Sequence, residues 1–146
     1  MITDDEILAE ARLAAGRGAT EFSIVVSGRA LRGSREIDTA ARALRRLRDE
    51  LPGLMRCASL GLLDEATMLR LRDAGLQSVH HNVETAPSFF PRVCTTHSQA
   101  EKIEVVRIAR RLGLHVCCGG IVGMGESRAQ RVELACLLRD LDVDCV

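Results

Sequence analysis

The sequence lacks any hydrophobic run that could cross a membrane, and its first residues are not expected to be a secretory leader. Its apolar stretches fall well short of the roughly 18 to 20 residues of a spanning helix. The first ten residues, MITDDEILAE, are acidic rather than basic. Twenty basic residues balance twenty acidic ones, so no excess charge favours a nucleic-acid or membrane-surface partner. We therefore expect a cytoplasmic protein that binds neither nucleic acid nor membrane.

A second absence is the C-x-x-C motif, although the chain has six cysteines. A zinc knuckle or a thioredoxin-like site therefore has no support. In a reducing compartment we expect these cysteines to be ligands, catalysts or small buried residues rather than disulfides. Lysine is also scarce, since Lys102 is the only one among the 20 basic residues. We interpret this bias as a matter of composition on solvated helix faces.

No linker or low-complexity segment interrupts the chain, so we expect a single domain over residues 1–146. One pattern recurs along the chain: a helix-like segment ends at Gly or Asp, and a short apolar segment follows. It is seen in RDAGLQSV, RRLGLHVC and RDLDVDCV. This pattern is typical of helix-to-strand junctions. Capping-box patterns mark three helix starts, at Thr3, Ser98 and Ser127, and Asp64 is a fourth candidate cap.

The sequence predicts five helices alternating with five strands, which is typical of a parallel α/β sheet. The predicted helices cover 3–16, 35–50, 64–73, 98–112 and 127–140, and the predicted strands cover 21–26, 54–59, 76–83, 114–119 and 143–146.

Two predicted strands have one polar face, unlike the continuous apolar runs of ordinary buried parallel strands. Ser78, His80, Asn82 and Glu84 share one face of their segment, opposite Val79 and Val83. In the first strand, Glu21 and Ser23 oppose Phe22 and Ile24. Because buried polar groups cost free energy unless they find partners, this pattern favours a ligand-lined surface. Ordered water or a solvent-exposed edge remains the alternative explanation.

The segment GLHVCCGGIVGMGES places two adjacent cysteines where a predicted strand runs into glycines and a capped helix. Successive strand residues face opposite sides, so we expect one of Cys117 and Cys118 to face chemistry and the other to face packing. The glycines form neither a dinucleotide fingerprint nor a phosphate loop. They indicate a close backbone approach or a sharp turn.

Other candidate residues have simpler interpretations. His80 has the best claim of the four histidines to a site, because it shares a face with Asn82 and Glu84. We expect His81, His97 and His115 to be structural, Cys136 and Cys145 to be buried thiols, and Cys94 to pack beside Phe89 and Phe90.

These segments together resemble the biotin synthase family of radical S-adenosylmethionine (SAM) enzymes. The resemblance rests on HHNVETAPSFFPRVCTTHS followed by HVCCGGIVGMGES, and it extends to EFSIVVSGRA, MRCASLG and RVELACLLRDLDVD. It implies an α/β fold, a partial (β/α) TIM-type barrel of about five parallel strands with helices on the outer face. The family reaction inserts sulfur into dethiobiotin to form biotin by means of a 5′-deoxyadenosyl radical.

The resemblance also implies cofactors and site residues. The cofactors are SAM, a [4Fe–4S] cluster and a [2Fe–2S] or other auxiliary iron–sulfur cluster. By matching position, Cys57 and Cys117 are expected thiolate ligands of the auxiliary cluster, and Ser23 stands where a third ligand belongs. Asn82 is expected to contact dethiobiotin, Glu84 to hold the SAM ribose, and Gly120, Ile121 and Gly123 to approach the adenosyl group.

Three departures from the family pattern affect these expectations. The C-x3-C-x2-C loop that ligates the [4Fe–4S] cluster does not occur in the sequence. Ser23 is a poor ligand for a soft metal. A complete barrel takes about 250 residues, so we interpret the chain as an internal fragment that lacks the last strands as well. The isolated chain is therefore expected to be inactive and, through its open sheet edges, prone to associate.

Alternatives stay open at this point. One is a radical SAM relative with another substrate, related to the enzymes of hydrogenase-cofactor or pyrrolysine synthesis. The other is a non-catalytic barrel fragment or pseudoenzyme that binds small molecules or a partner subunit. A homodimer of the full-length parent is a further open expectation.

Overall fold

The computed structural model describes residues 2–26, 30 and 33–146. Residues 27–29, part of the EFSIVVSGRA segment, lie outside the described residues. The helices are α1 (Asp4–Gly16), α2 (Ser34–Glu50), α3 (Glu65–Asp73), α4 (Phe90–Val93), α5 (Gln99–Arg111) and α6 (Arg128–Asp140). The strands are β1 (Glu21–Val25), β2 (Met55–Ser59), β3 (Ser78–His80) and β4 (His115–Cys117).

The four strands form one parallel sheet in sequence order, β1-β2-β3-β4. This is an α/β fold of alternating strands and helices, as the sequence predicted. The register of β1 on β2 pairs Ser23 with Cys57, and the register of β2 on β3 pairs Cys57 with Ser78. By its contacts the chain divides into two compact units, Met1–Val79 and His80–Val146. The single-domain expectation remains a prediction.

The first unit packs α1 and α2 beside β1 and β2. Ala41, Leu44 and Leu47 of α2 are fully buried, so one face of this amphipathic helix forms part of the core. Arg56 of β2 is a buried exception. Its guanidinium donates to the carbonyl oxygens of Gly75 at 2.7 Å and Leu54 at 3.2 Å, so the charged group joins β2 to the turn after α3.

The second unit is organised around β4 and the extended segment that follows β3. The amide nitrogen of His81 donates to the carbonyl of Cys117, and that of Val83 donates to the carbonyl of Gly119. The helix α5 packs against β4. Val106 of α5 and Val116 of β4 are fully buried, which marks the core of this unit.

The four predicted helix starts are confirmed. Thr3, Ser98 and Ser127 form complete capping boxes, in which the N3 side chain also accepts from the cap's backbone. The Asp64 side chain accepts from the amide of Thr67. A cap of this kind stabilises a helix by about 1 kcal/mol, so these residues fix where each helix begins.

One predicted element is wrong, and one short helix was not predicted. The segment 143–146 is not a strand, because it makes a single bridge between Cys145 and Cys117. Asp142 takes a positive φ of 53°. The Asp144 carboxylate accepts from the Val116 amide at 2.8 Å, so a side chain makes a hydrogen bond that the backbone of a paired strand would otherwise make. The short helix α4 was not predicted.

Within the described residues, no helix has both the length and the apolar character that a membrane span requires.

Candidate functional site

Glu84 lies at the centre of a tight turn that interrupts the extended segment after β3. Its φ is +68°, and the amide of Thr85 donates to the carbonyl of Val83 at 2.9 Å. A three-residue turn with positive φ at its centre is a classic γ-turn, which is rare and strained. Glutamate rarely adopts positive φ, and such strain concentrates at functional sites. The strained backbone singles out this carboxylate as a candidate functional group.

Two side chains from the first turn of α5 hold this γ-turn in place. The side-chain nitrogen Nε2 of buried Gln99 donates to the backbone carbonyl oxygens of Val83 and Thr85. The ammonium of Lys102 lies 2.8 Å from Glu84 Oε1 and 3.3 Å from the Asn82 carbonyl oxygen. Because residues three apart share a helix face, the same face of α5 supplies both contacts.

The Glu84–Lys102 ion pair is partly withdrawn from water. The exposed fractions of the two side chains are 27% and 12%. An ion pair in such surroundings is worth more than an exposed one, but its main effect is geometric, since it aims one carboxylate oxygen at α5. The second oxygen remains as an acceptor for a ligand hydroxyl. The interpretation of the single lysine as a compositional bias therefore missed a residue of the candidate site.

Glycines 119 and 120 bring the chain after β4 against this turn. The side-chain oxygen of Asn82 accepts from the Gly119 amide at 2.9 Å, and the Ile121 amide donates to the Glu84 carbonyl at 2.7 Å. A Cβ on Gly120 would lie 2.5 Å from the Glu84 carbonyl oxygen and 2.9 Å from Leu134 Cδ2. Glycine at 120 is therefore required by contacts within the protein.

The turn that follows is fixed by the carboxylate of Glu126. It accepts from the amides of Gly123 at 2.7 Å and Met124 at 2.8 Å, and from Arg131 Nε at 2.8 Å. Hydrogen bonds from the backbone, first of all from Gly123, and from Arg131 lower the pKa of Glu126 to about 2. Position 123 requires glycine for a conformational reason, because its φ of +92° is one that other residues rarely adopt. Large apolar side chains beside this turn stay open to solvent, since Ile121 is 51% and Val122 61% exposed.

The two histidines after β3 lie in opposite environments. His80 is exposed, whereas His81 is buried. Burial, reinforced by the nearby charges of Lys102 and other histidines, lowers the pKa of His81 to about 4, so its ring is neutral at pH 7. Its Nε2 has no hydrogen-bond partner among the described residues. His80, the histidine with the better claim from sequence, is open to solvent, and its role in a site stays a prediction.

The adjacent cysteines of β4 and its end alternate as the strand pattern predicts. Cys118 is fully buried, and Cys117 is partly exposed. Burial raises the pKa of Cys118 to about 11, which makes it an inert thiol. The expectation that Cys145 is buried is wrong, because it is exposed. All six cysteines are free thiols.

In the first unit, the expected ligand positions Ser23 and Cys57 lie opposite each other on β1 and β2. Cys57 Sγ also lies 3.7 Å from Glu21 Oε1. Burial, reinforced by the Glu21 carboxylate, raises the pKa of Cys57 even though Ser78 hydrogen-bonds to it. This face offers one thiol among oxygen donors, and within the described residues no group of three or more Cys, His, Asp or Glu side chains could hold a metal ion.

Comparison with known proteins assigns the family. The sequence profile of the Radical SAM superfamily matches residues 1–138. The chain belongs to the Radical SAM superfamily. Its curated relatives include the biotin synthase of Geobacter sulfurreducens, which is 53% identical over 146 residues, and that of Anaeromyxobacter dehalogenans, which is 54% identical over 146 residues.

Each alignment covers all of this radical SAM chain but only 44% and 40% of those two relatives. The chain thus spans less than half the length of the curated relatives it matches.

Two solved structures share the fold of this chain at low sequence identity. The crystal structure of methylornithine synthase covers 98% of this chain with a TM-score of 0.82 at 21% identity, and the chain covers 42% of that structure. A maturase of the [FeFe]-hydrogenase covers 97% with a TM-score of 0.76 at 13% identity, and the chain covers 33% of it. At these identities the likeness concerns the fold alone.

Proposed function

We propose that this chain forms part of the catalytic barrel of a biotin-synthase-like radical SAM enzyme. The parent reaction would insert sulfur into dethiobiotin to form biotin. The observation that carries the proposal is the likeness to biotin synthases, about half identical in sequence over the whole chain. Superfamily membership implies the use of SAM and an iron–sulfur cluster.

The turn at Glu84 fits the adenosyl part of SAM. A partly exposed carboxylate suits a ribose diol, because its second oxygen can accept hydrogen bonds from hydroxyl groups. The exposed apolar side chain of Ile121 suits the face of an adenine ring. In this proposal Glu84 holds the ribose, and Gly120, Ile121 and Gly123 line the adenosyl group. SAM bound here, once reduced by one electron from the [4Fe–4S] cluster of the family, would supply the 5′-deoxyadenosyl radical that abstracts hydrogen from the substrate.

Lys102 and Asn82 complete this proposed site. Lys102 orients the Glu84 carboxylate, and Gln99 holds its backbone in the strained turn. The side-chain oxygen of Asn82 accepts a hydrogen bond from the Gly119 amide. Its amide nitrogen is then the group that would donate to dethiobiotin.

The iron–sulfur clusters fit this chain less completely. The C-x3-C-x2-C motif does not occur in the 146 residues, so no residue here is assigned to the [4Fe–4S] cluster. Cys57 and Cys117 remain proposed thiolate ligands of an auxiliary cluster, with Ser23 at the position of a third. The oxygen donors of Ser23 and Glu21 beside Cys57 do not fit an all-thiolate set, and this leaves the cluster type open between [2Fe–2S] and another auxiliary cluster.

That ligand set favours a second candidate function within the superfamily. A radical SAM enzyme that abstracts hydrogen without inserting sulfur needs no auxiliary cluster, and it would share the Glu84 turn. The known structures of methylornithine synthase and the hydrogenase maturase show that the fold alone does not decide between the two candidates.

A chimera tests the proposal. The 146 residues replace the aligned segment of the Geobacter sulfurreducens biotin synthase, and the purified enzyme is incubated anaerobically with SAM, a reductant and dethiobiotin. Formation of both 5′-deoxyadenosine and biotin is the expected result. 5′-Deoxyadenosine without biotin would favour the second candidate. A folded chimera that forms neither product would support the non-catalytic alternative and overturn both. Size-exclusion chromatography of the chimera tests the proposed homodimer.

A further inference from the structure

Cys94 lies in the loop between α4 and α5 and contacts two polar side chains. Its Sγ lies 3.5 Å from the Thr96 hydroxyl, 3.5 Å from His97 Nδ1 and 3.7 Å from His97 Nε2. The Thr96 hydroxyl and His97 Nδ1 are 3.0 Å apart. A thiol, a hydroxyl and an imidazole therefore contact one another within four residues of sequence.

The imidazole of His97 is held in position from a second side. Its ring meets the Phe90 ring edge-on, with centroids 6.0 Å apart and an interplanar angle of 67°. Cys94 itself is anchored, because its amide donates to the Phe90 carbonyl at 3.0 Å. The pair is thus ordered by aromatic packing and a backbone hydrogen bond, and it does not depend on a chance approach of two mobile side chains.

The electrostatic surroundings favour a thiolate at Cys94. Hydrogen bonding to Thr96, and more weakly the charge of Lys102 on α5, lower the pKa of Cys94. His81, whose buried Nε2 has no partner among the described residues, interacts electrostatically with both His97 and Lys102. The ammonium of Lys102 contributes positive charge to these surroundings, of the kind in which reactive cysteines occur.

The other cysteines of known environment differ from Cys94. Cys57 and Cys118 are buried, and burial raises the pKa of both thiols. Cys145 is exposed, and its Sγ lies 4.0 Å from the Val146 carbonyl oxygen. Among these thiols, Cys94 alone combines partial exposure with a hydroxyl and an imidazole in contact.

We propose that Cys94 and His97 form a thiol-modification site that reacts with low-molecular-weight disulfides. The Cys94 thiolate attacks one sulfur of the disulfide, a new S–S bond forms as the old one breaks, and the second thiolate leaves. The imidazole of His97 accepts the proton of the Cys94 thiol, and the leaving thiolate takes up a proton from solvent. This inference is independent of the proposed function.

Peptide mapping of the full 146-residue chain tests the inference. The chain is treated with a substoichiometric amount of 4,4′-dithiodipyridine over a range of pH, and the remaining thiols are alkylated. Trypsin separates Cys94 (residues 93–102) from Cys136 (132–139) and Cys145 (140–146). The matched variants are His97→Gln and, as a control on an exposed histidine of β4, His115→Gln. Circular dichroism confirms that both variants fold.

We expect Cys94 to react about three- to tenfold faster than Cys145 at pH 7. An ordinary exposed thiol with a pKa of about 8.5 is only about 3% ionised there, and a larger thiolate fraction is partly offset by the lower nucleophilicity of a less basic thiolate. The reaction rate of Cys94 should also level off at a lower pH than the rate of Cys145. His97→Gln should remove both the difference in rate and the difference in pH profile, whereas His115→Gln should leave both unchanged. Equal rates at Cys94 and Cys145, or a Cys94 rate unchanged in His97→Gln, would overturn the proposal.

Discussion

Gly120→Ala should destabilise the protein and displace Glu84, whereas Gly119→Ala should be tolerated. The added Cβ at 120 would meet the Glu84 carbonyl oxygen at 2.5 Å, the Glu84 carbonyl carbon at 2.9 Å and Leu134 Cδ2 at 2.9 Å. Two of these atoms belong to backbone, which cannot rotate away. At Gly119 the nearest atom is Asn82 Oδ1 at 3.6 Å, an ordinary contact. The neighbouring glycine therefore serves as the matched control.

Overpacking of this kind costs about 1 to 3 kcal/mol. With a urea dependence of about 1.5 kcal/mol/M for a small protein, the unfolding midpoint should fall by about 0.7 to 2 M. Urea unfolding followed by circular dichroism measures both variants against the parent chain. Equal midpoints for Gly120→Ala and Gly119→Ala would refute the claim that close backbone packing fixes the residue at 120.

Three further predictions follow from the same contacts. The pKa of His81 is about 4 in the folded chain and about 6.5 in the unfolded chain, so the unfolded chain binds more protons between these two pH values. The free energy of unfolding should therefore fall by about 2 kcal/mol from pH 7 to pH 5. The urea midpoint of His81→Gln should not show this pH dependence. The pKa of Glu126 is depressed to about 2, so Glu126→Gln should lower the urea midpoint at pH 7, with a difference that shrinks as pH falls from about 4.5 to 2. Lys102→Met should weaken SAM binding to the chimera in calorimetry, whereas Lys102→Arg, which keeps the charge, should largely preserve it; equal effects would contradict orientation by charge.

The helices and their starts could be predicted because their signals are local. A capping box needs only residues three apart, and Ser98 with Glu101 or Ser127 with Gln130 carries the whole signal. Cys117 and Cys118 likewise alternate between exposed and buried positions because a strand has a period of two.

The turn at Glu84 could not be predicted, because no local pattern specifies it. Glutamate has no preference for positive φ, and the turn is held by Gln99 and Lys102 from another helix. The capping box at Ser98 was the available signal, since it fixes which residues form the first turn of α5. The missing strand at 143–146 has a similar cause, because Asp144 pairs with Arg110 and the Val116 amide across long sequence separations.

The affinity of the chimera for SAM tests the central claim most directly. Equilibrium dialysis with labelled SAM compares the chimera with its Glu84→Gln variant and with Glu104→Gln, an exposed carboxylate on α5 that pairs with Arg111. A hydrogen bond to a charged group is worth about 1.5 to 3 kcal/mol, so Glu84→Gln should raise the Kd about 10- to 100-fold while Glu104→Gln leaves it unchanged. A Kd for Glu84→Gln within twofold of the unsubstituted chimera would contradict the assignment of Glu84 to the SAM ribose.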